Sequence, residues 1–158
     1  ADITGSGGLY AIVDAESAGV ALDGRNVALL RLIASETTDV VAKVAEISGV
    51  IFTGPAHESG ADLRTVAVTS AGVVDRSPCG MGTSGVMAVL DAMGLLDEER
   101  PFVHEGLIGT RVEGRLLKRT VVDDQPAIIT EITGSAWITG EHTFLIDDRD
   151  PLKKGFLV

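Results

Sequence analysis

Chemically useful residues concentrate in the decapeptide Asp75-Arg76-Ser77-Pro78-Cys79-Gly80-Met81-Gly82-Thr83-Ser84, which holds the chain's single cysteine. Pro78 has no N–H to give to a sheet and stops an incoming strand. Gly80 and Gly82 let the backbone approach a ligand closely. A helical run from about Thr83 to Met93 follows, with Gly94 placed to end it. Cys79 is therefore expected just ahead of a helix N-terminus, among N–H groups without intrahelical partners. Such groups bind anions, a carboxylate included, and the same end of the helix favours a thiolate over a thiol. A thiolate beside a carboxylate site is suited to removing the α-proton of an amino acid. A plainer account fits the same residues: a lone cysteine is often a small buried hydrophobe, and the glycines then merely open a helix.

Other residue clusters offer less. His57, His104 and His142 lie far apart and have no paired ligand spacing, so no metal site is expected. His104, beside Glu105, reads as structural. Gly5-Ser6-Gly7-Gly8 lacks the following helix with Lys-Ser/Thr that a phosphate loop needs. Asp97-Glu98-Glu99 and Asp147-Asp148 read as solvated turns, and Trp137 as core. The net charge of −10 supplies no basic patch for nucleic acid. With 45% hydrophobic residues the 158-residue chain can form a core without metal or disulfide. One cysteine permits no internal disulfide, which points to a reducing, cytoplasmic compartment. No apolar run approaches membrane-spanning length, and no charged start leads into an apolar stretch as in a signal peptide. The chain opens on Ala1 and runs almost at once into a strand-like segment, which reads as a cut or processed end.

These residues need positioning elements. Leu9 to Ala15 reads as a buried strand after the turn Gly7-Gly8. Asp23-Gly24 marks a turn. From Arg25 to Ile47 apolar residues recur at helical spacing, with a break into two helices expected at Ser35-Glu36-Thr37-Thr38. Val50 to Phe52 is a short strand. Leu63 to Val74 is two short strands, or one with a turn at Ser70-Ala71-Gly72. After Pro101 the pattern is β throughout, and 135–140 (SAWITG) and 142–148 (HTFLIDD) are read as the last strands.

The decapeptide also resembles the DRSPCGTGTSA signature of the proline racemase family, which includes proline racemases, 4-hydroxyproline 2-epimerases and trans-3-hydroxyproline dehydratases. The resemblance runs in order along the chain. Asp2 to Ala15 resembles DIAFGGNFYAIVDA. His104 to Gly109 with Gly114 resembles ESIIGxxFxG, and Gly134 to Phe156 resembles GxAxITGxxxFxxDxxDPxxxGF, so the chain is expected to end at the family's C-terminus. The implied fold class is α/β (α+β), a diaminopimelate-epimerase-like domain in which β-strands wrap round a central helix. Residues 1–158 would be the C-terminal half of a two-domain enzyme with its active site between the domains.

The activity so implied is racemisation or epimerisation at the α-carbon of proline or hydroxyproline, without pyridoxal phosphate, metal or other cofactor. Two cysteines act on opposite faces, one thiolate removing the proton and one thiol returning it. By position Cys79 matches the second of these bases. Asp75 matches the acid that holds the substrate's amino nitrogen, and the N–H groups of Gly80 and Met81 match the carboxylate donors. Thr69 stands where proline racemases carry phenylalanine against the ring, which suits a hydroxylated ring. The implied partners are the small amino-acid substrate and an N-terminal half with a CGHG-type motif, which this chain lacks. The chain alone is expected to be inactive, and an apolar face left without that half makes a homodimer conceivable. Met81 departs from the family's usual threonine, and Gly5 and Ser6 from its Phe-Gly. Two competing readings stand beside this one. A dehydratase of the same family carries threonine in place of the second cysteine, so Cys79 argues against it. A non-catalytic domain would keep the fold and bind a small carboxylate or a partner chain.

Overall fold

The computed structural model describes residues 1–155. Seven strands form one sheet in chain order: β1 (Asp2–Gly5), β2 (Leu9–Asp14), β3 (Gly49–Pro55), β4 (Leu63–Thr69), β5 (Phe102–Glu105), β6 (Arg111–Val122) and β7 (Gln125–Gly134). Helix α1 (Val27–Val41) connects the parallel pair β2 and β3, and helix α2 (Gly80–Ala92) connects the parallel pair β4 and β5. All other neighbours are antiparallel.

Side-chain alternation along the central strands divides the core between the two helices. Ala11, Val50, Phe52, Val66 and Val68 face one way and pack with Leu30 and Ala34 of α1. Ile12, Ile51 and Ala67 face the other way and pack with Val86 and Met87 of α2. The sheet curls so that β1, β2, β6 and β7 all touch α2. The fold is the expected mixed α/β arrangement with strands wrapped round a helix.

Helix α2 ends as its sequence predicts. Gly94 takes φ of +70°; its N–H reaches the Asp91 carbonyl, and that of Leu95 the Leu90 carbonyl. This pair of bonds closes the helix in a Schellman motif. Helix α1 departs from expectation: it runs unbroken through Ser35–Thr38 and ends at Val41, short of Ile47. The Thr37 and Thr38 hydroxyls bond back to the carbonyls of Ile33 and Ala34, so they are spent inside the continuous helix and open no second one.

The larger correction is at the C-terminal end. Residues 135–140 and 142–148 form no strand, and Trp137 is 86% exposed instead of buried. Apolar spacing shows that a segment can be a strand, but a strand needs an edge to pair with. None is engaged there among the described residues. Phe156, in the last motif of the resemblance, lies outside the described residues.

Candidate active site

Cys79 occupies the N-cap of α2 in extended conformation, half-buried, and its Sγ accepts the Gly82 N–H at 3.4 Å. The Thr83 N–H reaches the Cys79 carbonyl at 2.7 Å. The N–H groups of Gly80 and Met81 have no acceptor among the described residues. They are the unfilled donors that a helix start leaves over, and they flank the sulfur.

The glycines bring this turn onto the sheet. A Cβ on Gly82 would lie 3.0 Å from Ile51 Cδ1, and one on Gly85 2.8 Å from Thr4 Cγ2. Pro78 is buried and the preceding segment is tied to β4, through the Val68–Val74 bridge and the Asp75 N–H on the Ala67 carbonyl. The Asp75 side chain is exposed and has no hydrogen-bond partner among the described residues. Met81 is 48% exposed and leans over the loop before β2, where a Cβ on Gly7 would sit 2.7 Å from its Sδ.

Thr69 ends β4, opposite Gly49, which in turn pairs with Tyr10 on β2. Alternation puts all three on the α2 face, with Ala67, Ile51 and Ile12 respectively. The Thr69 Oγ1 accepts the Val73 N–H at 3.1 Å, anchoring the following turn and leaving its own O–H available. Tyr10 is the residue that sequence reasoning passed over. Burial raises its phenol above the ordinary value, with a smaller contribution from Cys79, and the ring packs with the Ile12, Ile51 and Val86 cluster. The alternation of Leu9–Asp14 already assigned Tyr10 to the face of Ile12. What was missing was which helix that face would meet.

Behind the turn, His104 Nδ1 lies 2.9 Å from Thr83 Oγ1, and Thr130 Oγ1 lies 2.7 Å from Ser84 Oγ. Burial pushes the His104 imidazole down to about 4, against the opposing pull of the Asp62 carboxylate, so the ring is neutral. No group of three or more metal-ligating side chains occurs among the described residues, and none of their helices is long and apolar enough to cross a membrane.

A half-buried thiol at the head of a helix, with two free N–H groups following it in sequence and an exposed, unpaired carboxylate four residues before it, is a candidate acid–base site. Residues 1–157 match the family described as proline racemase, and the chain belongs to that family. It is 39% identical to a 4-hydroxyproline 2-epimerase of Streptosporangium roseum over 99% of this chain and 50% of that protein. It is 35% identical to a trans-3-hydroxy-L-proline dehydratase of Bacillus cereus, again over 99% of this chain and 50% of the relative. A hydroxyproline epimerase from Agrobacterium vitis, solved with bound trans-4-hydroxy-L-proline, superposes with a TM-score of 0.84 at 27% identity, covering 99% of this chain and 48% of that one. The chain thus spans about half the length of the relatives it matches.

Proposed function

We propose that residues 1–158 are the C-terminal half of a cofactor-independent epimerase acting at the α-carbon of proline or hydroxyproline, and that Cys79 is one of its two thiols. One observation carries the reading: the Cys79 sulfur sits at the head of α2 beside the unfilled N–H groups of Gly80 and Met81. In this reading those N–H groups hold the substrate carboxylate and Asp75 holds the amino nitrogen. The Cys79 thiolate takes the α-proton on one face, leaving a carbanion stabilised by the bound carboxylate. A thiol from the other half gives a proton to the opposite face. The next turnover in reverse restores both sulfurs. The O–H of Thr69 is free to donate to a ring hydroxyl, which favours 4-hydroxyproline over proline. A reducing compartment suits a site that needs a free thiol.

One positioned thiol reaches one face only, so the other half is indispensable. The apolar stretch of Trp137, Ile138, Phe144, Leu145 and Ile146, exposed here, supplies surface on which that half can dock. It also gives the isolated chain a route to self-association. The dehydratase reading, which the Bacillus cereus relative raises, is disfavoured by the cysteine at position 79.

The test is reconstitution. The chain alone should not interconvert hydroxyproline epimers at an enzyme-like rate, and adding a half with the CGHG-type motif should restore interconversion. Cys79→Ser in the reconstituted protein should abolish epimerisation and keep binding of pyrrole-2-carboxylate, a planar carbanion mimic. Enzyme-like epimerisation by residues 1–158 alone would refute the two-thiol assignment.

A further inference from the structure

The first turns of α2 have little helical strength of their own. Gly80, Gly82 and Gly85 fall within its first six residues, and glycine is among the weakest helix formers. The one side-chain cap is the Cys79 sulfur, a weak acceptor. What holds this turn comes from outside it. His104 of β5 bonds Thr83, and Thr130 of β7 bonds Ser84, so consecutive helical residues are tied to two different strands.

The His104 tie is unusual in two respects. Thr37, Thr38 and Ser84 all turn their hydroxyls back to the carbonyl four residues earlier. Thr83 does not: its hydroxyl goes to His104, and the Cys79 carbonyl four residues earlier is left to the Thr83 N–H. His104 is also 1% exposed, with Nε2 lacking any partner among the described residues and its ring fixed edge-on against Phe102 at 4.8 Å. A buried orphan nitrogen is costly, and an apolar side chain would fill this volume without that cost. The cost accompanies a single polar contact, Nδ1 to Thr83.

We propose that His104 is a positioning residue which, through Thr83, fixes the aim of the Gly80 and Met81 N–H groups and of the Cys79 sulfur. The inference rests on the site reading above and adds a residue to it. It assigns His104 no contact with substrate. Its neutral state, held by burial, lets it keep the Thr83 contact throughout the range in which the thiol works.

The test compares matched pairs in the chain supplied with its complementary half. His104→Phe and Thr83→Val keep volume and remove the bond. His104→Asn and Thr83→Ser keep a polar atom where Nδ1 and Oγ1 stand. Three quantities are read: the unfolding midpoint, the pH profile of Cys79 alkylation by iodoacetamide, and the affinity for pyrrole-2-carboxylate followed by the amide signals of residues 79–83. The bond-removing variants should lower alkylation and affinity by about fivefold to tenfold, the worth of one net hydrogen bond. The double variant should be no worse than either single, and the conservative pair should stay within about twofold of the parent. Should His104→Phe fail to fold, the isosteric Thr83→Val and Thr83→Ser pair carries the comparison. If the midpoint falls while alkylation and affinity of the folded variants match the parent, His104 is structural only and the proposal is wrong. If the parent itself shows no carboxylate response and its thiol alkylates like an unstructured one, the site reading fails and takes the proposal with it.

Discussion

Replacing Arg64 by methionine strikes the most enclosed ion pair among the described residues. Glu105 has no exposed surface, and Arg64 is 7% exposed. One Glu105 oxygen accepts Arg64 Nη1; the other accepts the N–H groups of His57 at 2.8 Å and Glu58 at 3.1 Å. Arg64 Nη2 donates to the Leu107 carbonyl. Burial alone would raise the Glu105 carboxyl, but the Glu58 and His57 N–H groups and the Arg64 guanidinium outweigh it and hold the group below its ordinary value. Arg64→Met leaves that carboxylate buried without a counter-charge and the Leu107 carbonyl without its donor. Breaking a buried pair from one side costs about 3–5 kcal/mol, a large part of a domain's stability. Urea unfolding at neutral pH measures the loss. The sign of its pH dependence follows from linkage. In the parent, the lowered Glu105 contributes stability above its ordinary value of 4.5, lost as pH falls through the folded value. In Arg64→Met the counter-charge is gone and protonation relieves the buried carboxylate, so the deficit relative to the parent should shrink in acid. The double variant Arg64→Met/Glu105→Gln should be less damaged at neutral pH than Arg64→Met alone. A loss under about 1 kcal/mol, the level of a surface pair, or a deficit equal at all pH values, would refute the reasoning.

Two further outcomes are expected. The folded value of His104, about 4, lies below the unfolded 6.5, so the unfolded chain binds more protons between them. Stability should therefore decline as pH falls through that window, by up to about 3 kcal/mol, and His104→Asn should flatten the slope; an unchanged slope would assign it to other groups. Trp137 is the chain's single tryptophan and is 86% exposed, so the isolated chain should show the red-shifted emission of a wet indole. Adding a complementary half made free of tryptophan should shift that emission to the blue, and no shift on confirmed association would remove residues 135–146 from the docking surface.

Local information was enough for the elements that build the site. The glycines and the apolar run to Met93 announced a helix just after Cys79 and its ending at Gly94, and the structure has both, with the helix beginning at Gly80, ahead of the expected Thr83; the strand before it ends at Thr69, well short of Pro78. Alternation in β2, β3 and β4 likewise assigned each side chain to a face. It did not say which helix covers which face, and so Tyr10 could not be placed on the α2 side before the crossovers were known. The Thr83 contact of His104 was hidden for the same reason: it joins residues 21 apart in sequence, and no spacing rule reaches that far. The misreading of Trp137 has a different origin. The pattern of residues 135–148 is that of a buried strand, but an apolar pattern does not say what covers it. Within residues 1–155 nothing covers it, and the chain spans half the length of its relatives. A segment with a buried pattern and an exposed position is therefore where the proposed second half would be expected to pack.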